Sequence, residues 1–147
     1  MTSKADFYVL PSSDPDARGR FLCRLVEKIG ALGHQIYIQT PDEQEAKRID
    51  QLLWEYRPEA FIPHHLLGDD KISSPIQIGW SEQRPEHKDV YVNLNLDIPQ
   101  DALEFERILE VVVQTEDVLT STRKNYKTYQ SNGIQIDMHD MRPKPRA

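Results

Sequence analysis

The sequence predicts one three-layer α/β/α domain around a mostly parallel sheet, and three observations carry that reading. Short β-prone runs alternate with segments of helical apolar spacing along most of the chain, as in successive βαβ units. The helical segments open on proline and capping residues and close on glycine. At 147 residues and 17.1 kDa the chain suits a single hydrophobic core, and no shift in composition or internal repeat marks a second domain. Residues 1–141 are expected to form that domain. The last six, containing Arg142-Pro143-Lys144-Pro145-Arg146, are expected to be a disordered basic tail.

Phe7-Tyr8-Val9-Leu10 reads as a first buried strand that stops at Pro11. Ser12-Ser13-Asp14-Pro15 then starts a helix whose apolar positions are Phe21, Leu22, Leu25, Val26, Ile29 and Leu32, closed by Gly30 or Gly33. His34 to Ile38 alternates as a second strand. Thr40-Pro41-Asp42-Glu43 reads as a cap, a first-turn proline and early acids, opening a second helix with Ala46, Ile49, Leu52, Leu53 and Tyr56 on one stripe. Arg57-Pro58 ends it. Ile76 to Ile78 and Val90 to Leu94 read as strands. Ile108 to Val113 suits a buried strand, although a helix beginning near Asp101 could also own it. Glu116 to Asn132 is a long final helix closed by Gly133, and Ile134 to Met138 adds an edge strand.

Lys and Arg total 18 against 24 Asp and Glu, a net charge of −6 with a pI near 5.3. Such a chain does not wrap duplex DNA or lie on an anionic membrane, which demand a broad positive field. Mean hydropathy is −0.64, and no apolar run approaches the roughly 20 residues of a membrane span. With no apolar leader after Met1, a cytoplasmic protein is expected. Cys23 is the only cysteine, which excludes an intramolecular disulfide or a thiolate metal cage.

An α/β sheet invites a nucleotide-binding reading, yet the turn after the first strand, Pro11-Ser12-Ser13-Asp14-Pro15, has no glycine to let backbone N–H groups reach a phosphate. Asp14 and Asp16 would repel one. His64 and His65 are adjacent and diverge, no His-Glu-x-x-His spacing exists, and His139-Asp140 is a weak metal candidate. No serine occupies a nucleophile elbow. Cys23, inside the first helix, reads as a semi-buried filler. No catalytic residue, metal or cofactor is expected.

Two surfaces suit partners. Trp54 lies about 140° from Ile49 on the helical wheel, well off the core stripe. Either the unusually apolar connection Phe61-Ile62-Pro63-His64-His65-Leu66-Leu67 covers it, or it meets a partner. The second surface is the final helix. The first 122 residues hold 12 Lys and Arg against 22 Asp and Glu, whereas residues 123–147 hold 6 against 2. Arg123, Tyr126, Lys127 and Gln130 share one helical face, with an apolar ring between cations. That pattern suits a short acidic peptide with an apolar end. Lys124, on the outward side, reads as a solvated cation complementing the helix dipole.

These features coincide with a family pattern. Phe7-Tyr8-Val9-Leu10, Leu52-Leu53-Trp54, Phe61-Ile62-Pro63-His64, Pro75-Ile76-Gln77-Ile78-Gly79-Trp80, Asp89-Val90-Tyr91-Val92-Asn93-Leu94 and Tyr126-Lys127-x-Tyr129…Gly133 run in order along nearly the whole chain. In these segments it resembles the chi subunits of the bacterial DNA polymerase III holoenzyme. The resemblance implies an α/β/α fold similar to a mononucleotide-binding domain without its phosphate loop, in agreement with the missing glycines. It further implies a replication adaptor without chemistry of its own, monomeric alone and heterodimeric with the psi subunit, which links it to the clamp loader. It also implies binding of the acidic C-terminal tail of the single-stranded DNA-binding protein, so that single-stranded DNA is reached only indirectly. By position, Trp54 and Phe61, with Ile62 and Pro63, match the psi-facing surface. Arg123, Tyr126 and Lys127, with Val112 or Val113 beneath, match the tail-binding surface, and Lys124 is the alternative first basic position. Thr120-Ser121-Thr122 departs from the richer Arg/Glu run of relatives. The rival readings are a small enzyme using the sheet crevice for a nucleotide and a weak direct binder of single-stranded DNA.

Overall fold

The computed structural model describes residues 1–56, 62–68 and 74–143. Within them the chain forms β1 (Lys4–Val9), α1 (Pro15–Ala31), β2 (Ile36–Gln39), α2 (Glu43–Glu55), β3 (His64–Leu66), β4 (Ile76–Gly79), β5 (Val90–Asn93), a 3-10 turn (Gln100–Glu104), β6 (Arg107–Val112), α3 (Glu116–Ser131) and β7 (Gln135–Asp140). The described strands make one sheet in the order β3-β4-β2-β5-β6-β1-β7, every pair parallel.

The order explains the layers. From β1 the chain travels toward β2 and then β3, whereas from β6 it steps the opposite way, over β1, to β7. Right-handed crossovers in opposite directions place their helices on opposite faces. Accordingly, α1 and α2 cover one face, with Ile36, Ile38, Ile78, Val92, Leu109 and Val111 beneath them. The other face carries Phe7, Val9, Tyr37, Tyr91, Ile108 and Val112, covered by α3 on the side of Phe7 and by Phe105, at the end of the 3-10 turn, on the side of Tyr37 and Tyr91. Strands covered on both sides need apolar residues at every position, which is why β2, β5 and β6 read as near-continuous runs.

Local signals set the helix boundaries. Asp14 caps α1, its Oδ1 accepting from the Asp16 N–H at 2.9 Å with Pro15 in the first turn. For α2 the expected cap moves: Asp42, not Thr40, accepts from the Glu45 N–H at 2.8 Å. The Thr40 hydroxyl donates instead to the Gly79 carbonyl at 3.0 Å, tying the end of β2 to β4. Gly79 itself is required by close approach, since a Cβ there would collide with the Tyr37 hydroxyl and ring. Gly133 turns the chain after α3 with φ +72°, a left-handed conformation that favours glycine.

Two further expectations change. The apolar connection before residue 68 is not all loop, because His64 to Leu66 pairs with β4 as the edge strand β3. Three residues beginning with two histidines give no alternation to read, and pairing with an existing edge decides the matter. The segment near Asp101 is a short 3-10 turn, and β6 owns the apolar run after it. The expected helix stop at Arg57-Pro58 lies outside the described residues, as does most of the basic tail. At its start, Arg142 is fastened to Asp140 at 2.6 Å.

Candidate functional site

The cationic surface on α3 is built from the sheet outward. β6 places Glu110 on the α3 face with its side chain buried. Three donors converge on it: the Tyr129 hydroxyl at 2.5 Å, Asn125 Nδ2 at 3.2 Å and Asn93 Nδ2 at 3.1 Å. Tyr129 and Asn125 belong to α3 and are its most buried residues. Burial pushes the Glu110 carboxyl up to about 7, against the opposing pull of those three donors. The Tyr129 hydroxyl is pushed up, first by burial and then by the neighbouring carboxylate. Fully partnered buried groups of this kind fix both position and rotation of a helix.

With α3 held in that orientation, Tyr126 sits half-buried at its edge, its ring 5.9 Å from that of Phe7, which in turn lies 5.7 Å from Tyr129. Arg123 and Lys127, one turn apart on either side of Tyr126, are exposed, and neither has an ion pair among the described residues. Lys124 points elsewhere and reaches Asp97 at 3.3 Å across an exposed surface. Of the two valines expected beneath the ring, Val112 lies in the same apolar cluster as Tyr126. Val113 belongs to the opposite face of the sheet, under α1 and α2, because successive strand residues alternate.

The second surface lies at the far end of the sheet. Trp54 is 54 % exposed at the last turn of α2, so the described residues do not cover it. Its ring packs at 4.4 Å against His64, the first residue of the edge strand. His64 is buried and holds α2 to the sheet: its Nε2 meets the Asp50 carbonyl at 3.0 Å and its Nδ1 the Ile62 carbonyl at 2.6 Å. Ile62 is a core residue, 5 % exposed, and Pro63 is half-buried. Phe61 lies outside the described residues.

The crevice at the carboxyl ends of the strands, where open α/β sheets take ligands, is bridged by the chain itself. The Gln114 N–H donates to the Ser12 carbonyl at 2.9 Å and its side chain to the Leu10 carbonyl at 3.0 Å, closing the loop after β1 onto the loop after β6. Cys23 is buried, and burial pushes its thiol up to about 11, away from reactive thiolate. His139 is engaged by Asp6 at 2.9 Å and stacks on Tyr8, while Asp140 takes Arg142. Among the described residues no three His, Cys, Asp or Glu side chains gather to hold a metal, and no helix is long and apolar enough to cross a membrane.

Sequence reasoning missed two buried charges. Glu110 stands alone in the run Ile108 to Val113, and a single carboxylate inside an apolar strand is the signal that could have found it. Asp6, wholly buried, takes Arg107 at 2.8 Å as well as His139, and the two partners lie about a hundred residues or more away along the chain.

Comparison with known proteins gives a consistent answer. The family model described as "DNA polymerase III chi subunit, HolC" matches residues 1–137. The DNA polymerase III subunit chi of Pseudomonas aeruginosa is 36 % identical over 137 residues, spanning 93 % of this chain and 96 % of that protein. The subunit of the same name from Haemophilus influenzae is 30 % identical over 143 residues (96 % and 99 %). That of Escherichia coli is 25 % identical over 139 residues (90 % and 95 %).

Proposed function

The chain belongs to the DNA polymerase III chi subunit family, and from that premise we propose that it is a non-catalytic replication adaptor with two protein-binding surfaces. The face of α3 formed by Arg123, Tyr126 and Lys127, with Val112 beneath, takes the acidic C-terminal tail of the single-stranded DNA-binding protein. The surface at Trp54, with Phe61 and Pro63 of the connection that follows α2, takes the psi subunit of the clamp loader. Single-stranded DNA is then held only through its binding protein.

One observation carries the reading. In an acidic chain, two cations stand exposed one turn apart without carboxylate partners among the described residues, flanking a ring that is half embedded in the core. Unpaired cations beside a fixed apolar edge meet an acidic peptide at little ordering cost, its carboxylates on the cations and an apolar side chain against the ring. Much of that attraction is screened by salt. Titrating a labelled tail peptide at low and at high salt tests it. Binding is expected at low salt, weakening as salt rises, and falling about tenfold in Lys127→Ala. No binding at low salt, or full binding by Lys127→Ala, refutes the site.

A further inference from the structure

α1 carries a third surface that neither reading above uses. Arg20, Arg24 and Lys28 follow one another a turn apart along its outer side, all exposed. Arg24 and Lys28 have no carboxylate partner among the described residues, and Arg20 has only Asp14, at 3.9 Å. The adjoining row is apolar: Phe21, Leu25 and Ile29 line it, and Leu32, just past the last turn, is 71 % exposed.

This ridge borders a groove rather than open solvent. A cavity of about 430 Å³ separates α1 from Tyr8, Arg107 and Met141 at the β1 and β7 side of the sheet. At Phe21, Arg24 and Met141 it meets a second cavity of about 780 Å³, which continues to Leu52 of α2 and Tyr56 just past its end. Met141 is 44 % exposed at the junction. Among the described residues no acid lines the smaller cavity, which Arg24, Lys28 and Arg107 border, and nearby Asp6, Asp137 and Asp140 are engaged by Arg107, Lys4 (2.8 Å) and Arg142. Glu55, which accepts from the Gln51 side chain, lines the larger cavity. The charge facing the α1 side of the groove is therefore positive.

We propose that the α1 groove is a docking surface for an acidic amphipathic helix of a partner protein. The cations repeat at one helical turn and span about 12 Å at 1.5 Å per residue, the repeat at which carboxylates recur on one face of an opposing helix. The exposed Leu32 and Met141, at the edge of the buried row of Phe21, Leu25 and Ile29, meet that helix's leucine-type side chains, as in other grooves that take amphipathic helices. A nucleic acid would also bring negative charge, but base stacking needs open aromatic faces. Phe21 is buried with Arg24 over its ring at 5.7 Å, and Tyr8 is covered by the stacked ring of His139. Of the remaining walls only Tyr56, itself half-buried, carries an aromatic ring.

The test uses the full chain carrying Arg123→Ala and Lys127→Ala, so that the α3 surface plays no part in the outcome. The probe is a labelled alanine-based helical peptide with glutamate at every fourth position beside a row of leucines. Binding by fluorescence anisotropy is expected, lost when lysine replaces glutamate in the peptide. It should weaken about tenfold on adding Arg24→Ala with Lys28→Ala, and also with Leu32→Ser, at unchanged melting temperature. Three results overturn the proposal: no binding of the glutamate peptide, binding indifferent to these substitutions, or tighter binding of a labelled oligothymidylate.

Discussion

The α3 surface and the Trp54 surface present their key side chains in opposite ways. Under α3 the exposed cations rest on a helix bolted to the sheet by a buried carboxylate with three donors, and the one aromatic ring is half sunk into the core. At Trp54 the aromatic ring is itself exposed at a helix end beside a three-residue edge strand, with one histidine as the anchor. The first arrangement fixes charge in space and offers specificity to a short, flexible ligand. The second offers apolar area, whose contribution comes from desolvation and is insensitive to salt. In the adaptor proposed above, the two contacts would therefore respond differently to ionic conditions.

Breaking the anchor under α3 should have the largest effect. Glu110→Ala strands the Tyr129, Asn125 and Asn93 donors in the core and opens a void, for a loss of about 3–5 kcal/mol in urea denaturation. Tail-peptide affinity should fall with it, while capture of the psi subunit by the surviving folded fraction persists.

A subtler version uses pH. Because the folded-state Glu110 carboxyl is raised from 4.5 to about 7, the folded protein keeps a proton that the unfolded chain has lost in that interval. The stability it contributes is complete below the lower value and drains away as pH rises toward the upper one, roughly 3 kcal/mol in all. Glu110→Gln should flatten the melting temperature over this window, and a wild type whose stability from this group instead grows with pH would contradict the buried network.

Substituting both Arg123 and Lys127 with alanine should abolish most tail-peptide binding at low salt and leave stability nearly unchanged, since neither side chain has an ion pair among the described residues. Trp54→Ala should do the reverse at the other surface. It should cost about 1 kcal/mol or less of stability because half the ring is already in water, and it should remove psi capture without touching the tail peptide. Smallest of all, Lys124→Ala breaks only the exposed contact with Asp97 and should shift stability by no more than about 0.5 kcal/mol.

Much of this architecture was legible in the sequence, for identifiable reasons. Proline, Asp14 and the apolar spacing marked α1, and the absence of glycine after β1 marked a sheet without a phosphate loop. Helical spacing singled out Trp54 and, on a separate surface, Arg123, Tyr126 and Lys127, and the structure brings those three together on one face of α3. What escaped were features that depend on distant partners. Whether Val112 or Val113 underlies Tyr126 is a question of strand phase, answered only once β6 is paired. The strand character of His64 to Leu66 exists only because β4 offers it an edge. The helix cap passed from Thr40 to Asp42 because the Thr40 hydroxyl found the Gly79 carbonyl across the sheet.

The sequence by itself determined which segments become helix or strand and that the positive charge gathers on the closing helix, because spacing, capping and charge are properties of neighbours along the chain. Only the tertiary structure decided which cations stand free, which valine supports the ring, and that a lone glutamate and three distant donors would lock α3 in place. Those outcomes depend on which unrelated residues the sheet order brings within hydrogen-bonding distance. No local pattern encodes that.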